Sequence, residues 1–103
     1  MAKEYLMDAT DMEPPEPLIR TLEMLNDLKQ GDYLRFIHRR EPLPLYDSLN
    51  QAGFSYITCA DSDEAFKVFI WNQDDAEAQS TIQSQIQSEN LNIHFSNISH
   101  ISP

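Results

Sequence analysis

Residues 17–38 read Pro-Leu-Ile-Arg-Thr-Leu-Glu-Met-Leu-Asn-Asp-Leu-Lys-Gln-Gly-Asp-Tyr-Leu-Arg-Phe-Ile-His. Within this stretch the apolar period changes from that of a helix to that of a strand. Leu18, Leu22, Leu25 and Leu28 share one helical stripe, which Ile19 widens. Pro17 suits a first helical turn, where its missing N–H has no partner to lose. Gly31 stands where a helix ends on a left-handed residue, so the spacing predicts a helix from Pro17 to Lys29. From Tyr33 to His38 the pattern alternates, with Leu34, Phe36 and His38 on one face and Tyr33, Arg35 and Ile37 on the other, as in a strand.

Upstream, Glu4–Asp8 is a short apolar run that reads as a first strand, which makes a β-α-β unit. A right-handed crossover sets its two strands parallel, so the loops that follow them leave the sheet at the same end. Those loops are Ala9–Pro17, stiffened by three prolines, and Arg39–Pro44. Downstream, Pro44 opens a second helix through Leu45, Tyr46, Leu49 and Ala52, and Gly53 closes it. Phe54–Ala60 and Ala65–Trp71 then read as two strands joined by Asp61-Ser62-Asp63-Glu64. The expected fold is α+β, a two-layer α/β sandwich in the order β-α-β-α-β-β, with a four-stranded mixed sheet and two helices on one face.

One domain is expected over residues 1–73, followed by a polar extension over 74–103. The extension has no Lys or Arg, and Gln, Ser and Asn dominate it from Gln79 onward. Ile82 and Ile86, with Leu91 as an optional third member, suggest a weak helix, whereas Leu91, Ile93 and Phe95 alternate like a strand. Partial docking on the sheet face that carries Tyr33, Ile37, Phe69 and Trp71 is the expected use of this segment. A homodimer interface is the other use of the same aromatics.

With 103 residues and 41% hydrophobic content, the chain suffices for one core and is too short for two. Its formal charge of −10 repels a phosphate backbone and an anionic bilayer, so neither nucleic acid nor membrane is an expected partner. Arg39-Arg40 is a positive island in this acidic background. A lone cysteine, Cys59, forms no internal disulfide, and the first residues lack the pattern of a secretory leader. No apolar stretch approaches the ~20 residues that span a bilayer. A cytoplasmic protein is expected.

The two loops form the candidate site. His38, Arg39 and Arg40 end the second strand close to two helix N-termini, where N–H groups and the helix dipole favour a small anion. The alternative is a surface ion-pair cluster with Asp11, Glu13, Glu16 and Glu41. His38 is either a half-buried, hydrogen-bonded histidine or a metal ligand with Asp8, Asp11 or Glu13, although no His-x₃-His or Cys-x₂-Cys spacing supports a metal. Tyr46 either turns its hydroxyl toward the inter-loop groove or packs on Phe36 or Phe54. Cys59 reads as a small buried hydrophobe, and His94 and His100 as solvated. With two glycines, no phosphate loop and no Ser-His-Asp order, the chain is not expected to be an enzyme or to hold a cofactor.

The early strand, the Glu13-Pro14-Pro15-Glu16-Pro17 helix opening, Gly31-Asp32 before the second strand and the order of elements resemble the TusA-like (SirA-like) superfamily over about residues 4–72. His38-Arg39-Arg40-Glu41-Pro42-Leu43-Pro44-Leu45-Tyr46, followed by Gly53-Phe54, resembles an uncharacterised bacterial branch whose members are often associated with hemerythrin-like domains. The resemblance implies the fold above. It implies sulfur carriage only where Cys-Pro-x-Pro opens the first helix, and here the tetrad is Pro14-Pro15-Glu16-Pro17. The expected function is therefore a non-catalytic binding or adaptor module for a protein partner or small anionic ligand, its edge shaped by Pro14, Pro15, Glu16, His38, Arg39, Arg40, Pro42, Pro44 and Tyr46. Sulfur transfer through Cys59 and a metal or redox accessory role for His38 are the alternatives.

Overall fold

The computed structural model describes residues 3–13, 15–60 and 65–94. Four strands, β1 (Glu4–Asp8), β2 (Tyr33–His38), β3 (Phe54–Ala60) and β4 (Phe66–Asn72), form one sheet in the order β1-β2-β4-β3. β1 and β2 are parallel with Leu6 opposite Arg35, as a crossover through α1 (Glu16–Leu25) requires, while β4 is antiparallel to both of its neighbours. The last strand is therefore inserted at the centre. The two central strands β2 and β4 are the most deeply buried, with Leu34, Phe36, Val68, Phe69 and Ile70 fully enclosed.

α1 and α2 (Leu43–Ala52) cover one sheet face, where Met7, Leu25, Leu34, Phe36, Leu45, Tyr46, Leu49, Val68 and Ile70 make one core. The sheet and these two helices are the two layers expected. α1 departs from expectation at its end, stopping at Leu25 and not at Lys29. Asn26 and Asp27 are poor helix formers, and the chain tightens there through Asp27 N–H to Met24 O and Leu28 N–H to Leu25 O, at 3.1 and 3.3 Å. Gly31 does not cap this helix. With φ +89° it is the left-handed residue of the turn that leads into β2. Gly53 closes α2 in the left-handed conformation, as expected.

A third helix, α3 (Ala76–Ser88), covers the second sheet face with Ala78, Ile82 and Ile86 over Tyr33, Cys59, Phe69 and Trp71. Its apolar stripe is thin, and polar bonds fasten both ends. Asp75 caps it, with Oδ1 accepting the Ala78 N–H at 3.0 Å and Oδ2 accepting the Gly31 N–H at 2.6 Å. At the far end the Glu89 carboxylate takes both terminal nitrogens of Arg35, at 2.8 and 2.6 Å. Arg35 also meets Glu4 at 3.1 Å and lies over the Phe69 ring, so one side chain ties β1, β2, β4 and α3 together.

Beyond α3 the chain reverses at Asn90, whose φ is +56°, and returns along the outer edge of β3. Ala60 N–H donates to Asn92 O at 2.9 Å and His94 N–H donates to Thr58 O at 2.7 Å. The extension thus supplies both a helix and a short strand pairing. Phe95, His100, Pro14 and the Asp61–Glu64 turn lie outside the described residues.

Candidate functional site

β1 and β2 point their C-terminal ends the same way, so the loops that open α1 and α2 stand side by side. Ala9 N–H donates to Ile37 O at 2.8 Å, which binds the first loop to the end of β2. Asp8 Oδ1 then accepts the Thr10 N–H at 3.1 Å and the Thr10 hydroxyl at 2.7 Å, an Asx turn that directs the chain away from the sheet. The Thr10 hydroxyl bond, followed by the backbone bond, holds the Asp8 carboxyl below its ordinary range. Asp11, at the tip, meets Arg39 of the second loop at 3.1 Å, so the two loops touch as the crossover predicts.

That contact is soft. The side chains of Arg39 and Asp11 are 69% and 90% exposed, a setting in which an ion pair is worth about 0–1 kcal/mol and is readily exchanged for another carboxylate. Glu16 pairs instead with Arg20 one turn along α1, at 3.2 Å. The Arg40 side chain is exposed. His38 is half-buried and stacked on Phe36, and its Nδ1 lies 3.1 Å from Arg40 N and 3.3 Å from Arg40 O. This is the hydrogen-bonded histidine of the first alternative. Among the described residues no group of three or more His, Cys, Asp or Glu is placed to hold a metal.

The prolines shape the helix openings by removing donors. Pro15 and Pro42 stand at the N-cap positions of α1 and α2, and Pro17 and Pro44 follow in the first turns. At α2 the Leu43 N–H goes to Glu41 O and the Leu45 N–H to Pro42 O, both at 2.9 Å, while Pro44 has no N–H at all. At α1 the Glu16 N–H goes to Glu13 O at 3.0 Å. These openings therefore present fewer donors to an anion than the sequence alone suggests. They present apolar surface in its place: Ile19 and Leu43, near the starts of α1 and α2, are 51% and 48% exposed, and the α1 N-cap Pro15 and Pro44 are exposed too.

Tyr46 turns inward and is 3% exposed, so it supports the edge without forming its surface. Its ring stacks on Tyr56 with centroids 4.3 Å apart, and its hydroxyl donates to Glu41 Oε2 while sharing a short bond with Thr58 Oγ1. Burial pushes the phenol well above its ordinary pKa. The other Glu41 oxygen is 3.3 Å from His94 Nε2, and the His94 ring meets Phe66 edge-on. His94 is thus half-buried at the rim of the site and not solvated as expected. Its signal was hidden because it depends on a contact 53 residues away in the chain. Cys59 is 0% exposed beneath α3, as expected of a small hydrophobe, and the exposed thiol that sulfur carriage needs is absent here.

Over residues 6–72 the chain matches a family model described as "Uncharacterized conserved protein (DUF2249)", and it belongs to that family. The match takes in both loops of the site, β2, β3, β4 and β1 from Leu6 onward, with Glu4, Tyr5, α3 and the pairing at residues 92–94 lying beyond it. No curated protein and no solved structure matches the chain significantly.

Proposed function

We propose that this chain is a non-catalytic binding module that recognises a protein partner at the edge formed by the two proline-rich loops. The observation that carries the reading is the pairing of exposed Arg39 and Arg40 with exposed Pro15, Ile19, Leu43 and Pro44 at one end of a rigid sheet. Apolar anchors beside arginine are the composition of an interface core, and proline-fixed loops lose little entropy on docking. The partner segment is acidic and apolar, because the surface Asp11–Arg39 pair exchanges easily for an incoming carboxylate. A small anionic ligand is the weaker reading, since the α2 opening has spent its donors on its own carbonyls.

The order of elements and the Pro-rich opening of α1 support a kinship with TusA-like proteins in which the sulfur chemistry has been lost and the fold kept. A bacterial, cytoplasmic setting goes with that kinship; no described helix is long and apolar enough to cross a membrane. The test places a photo-crosslinking amino acid at Leu43 in living cells. A discrete protein adduct that disappears when Arg39 and Arg40 are both changed to Ala supports the module. An adduct indifferent to the arginines, or none, removes this edge from consideration.

A further inference from the structure

The two outer edges of the sheet differ. The edge of β3 is already paired by residues 92–94, whereas β1 pairs only with β2 among the described residues. In the parallel ladder, Tyr33 N–H donates to Lys3 O and Ala9 N–H donates to Ile37 O, so the odd-numbered residues of this strand direct their backbone groups toward β2. It follows that Glu4, Leu6 and Asp8 direct their N–H and C=O groups outward. An unprotected edge of this kind is a template for another strand.

The same three residues share one sheet face, and at their centre Leu6 is 56% exposed, the highest value among the exposed large hydrophobic residues described. The flanking charge is negative. Glu4 and Asp8, on either side of Leu6, are both exposed acids; Glu4 meets Arg35, and among the described residues the Asp8 carboxylate accepts only from Thr10. Antiparallel pairing of two copies about Leu6 would set Glu4 of each against Asp8 of the other, so the edge disfavours a second copy of this chain.

We infer that the outer edge of β1 is a strand-addition site for an extended segment of a partner protein that carries an apolar residue between two basic ones, at alternate positions. Backbone bonds to Glu4, Leu6 and Asp8 supply the affinity of such a complex, and side-chain pairs across the edge supply its selectivity. The apolar residue packs on Leu6, and the basic residues meet Glu4 and Asp8. This site is separate from the proline-loop edge and stands or falls without it.

The probe is the peptide acetyl-Thr-Lys-Thr-Val-Thr-Lys-Thr-amide, titrated to millimolar concentration into the full chain, with amide hydrogen exchange followed residue by residue. At saturation the outward amides of Glu4, Leu6 and Asp8 slow by about tenfold or more while those of Tyr5 and Met7, already bonded to β2, do not change. The same peptide with Glu in place of Lys leaves all five unchanged. Leu6→Lys, a change at an exposed position that keeps the fold, abolishes the slowing. No slowing at the three outward amides, equal slowing by both peptides, or a response confined to Arg39–Pro44 overturns the inference.

Discussion

The two faces of the sheet are closed by different means. The first is sealed by leucine-bearing helices through an almost wholly apolar core, with its polar bonds confined to the rim around Tyr46. The second is sealed by a Gln- and Ser-rich helix with three buried apolar contacts, and it relies on Asp75 and Arg35 to hold the two helix ends. Apolar area supplies most of the stability on the first face. On the second, a few directional bonds decide whether a marginal apolar contact persists. The difference teaches that α3 is the part of this molecule that opens first, because its docking has the least burial behind it.

The comparison breaks most visibly in the cores. Phe36→Ala on the first face should cost about 3–5 kcal/mol, and loss of circular dichroism and exposure of Cys59 to alkylation should then coincide in one denaturant transition. Ile82→Ala on the second should cost about 2–5 kcal/mol, with Cys59 reacting before the far-ultraviolet signal falls. Coincident transitions in both variants would show that the two faces are one cooperative unit.

A smaller change sharpens the same point. Asp75→Ala removes a helix cap and the partner of Gly31 together, so a loss of about 1–2 kcal/mol is expected, again read first as faster alkylation of Cys59. Alkali compares the faces without mutation. Burial raises the phenol pKa of Tyr46 on the first face and of Tyr33 on the second, each above its unfolded value. Their contribution to stability is therefore complete below about pH 10 and is lost as pH rises beyond it. Tyrosinate absorbance should rise together with unfolding, and a rise that precedes any loss of structure would show these phenols to be more open than the structure has them.

Much of this architecture was legible in the sequence because local signals and long-range packing agree. The period change at Gly31, the αL glycine after Ala52 and the parallel crossover together place the Arg39 loop beside the Asp11 loop from the sequence alone. The end of α1 was misread because Gly31 is a genuine left-handed residue, but one that serves the β2 turn and the docking of α3, where a Cβ would lie 2.9 Å from the Glu77 carboxylate. The Glu41–His94 contact was not legible, since nothing local distinguishes a histidine in a polar segment that will return along β3. Nor does the proline-rich sequence reveal that Leu43 stays out of the core while Tyr46, three residues on, enters it.

The strand order also bears on how the protein is made. β4, last of the four strands described, lies between β2 and β3, so a nascent chain cannot extend its sheet one strand at a time as residues emerge. Until Asn72 has been synthesised, β3 has no neighbour in the sheet and β2 has only β1. β2 must therefore wait without its second neighbour, and the sheet face that bears Tyr33, Phe69 and Trp71 stays uncovered longer still, until α3 has followed β4 out.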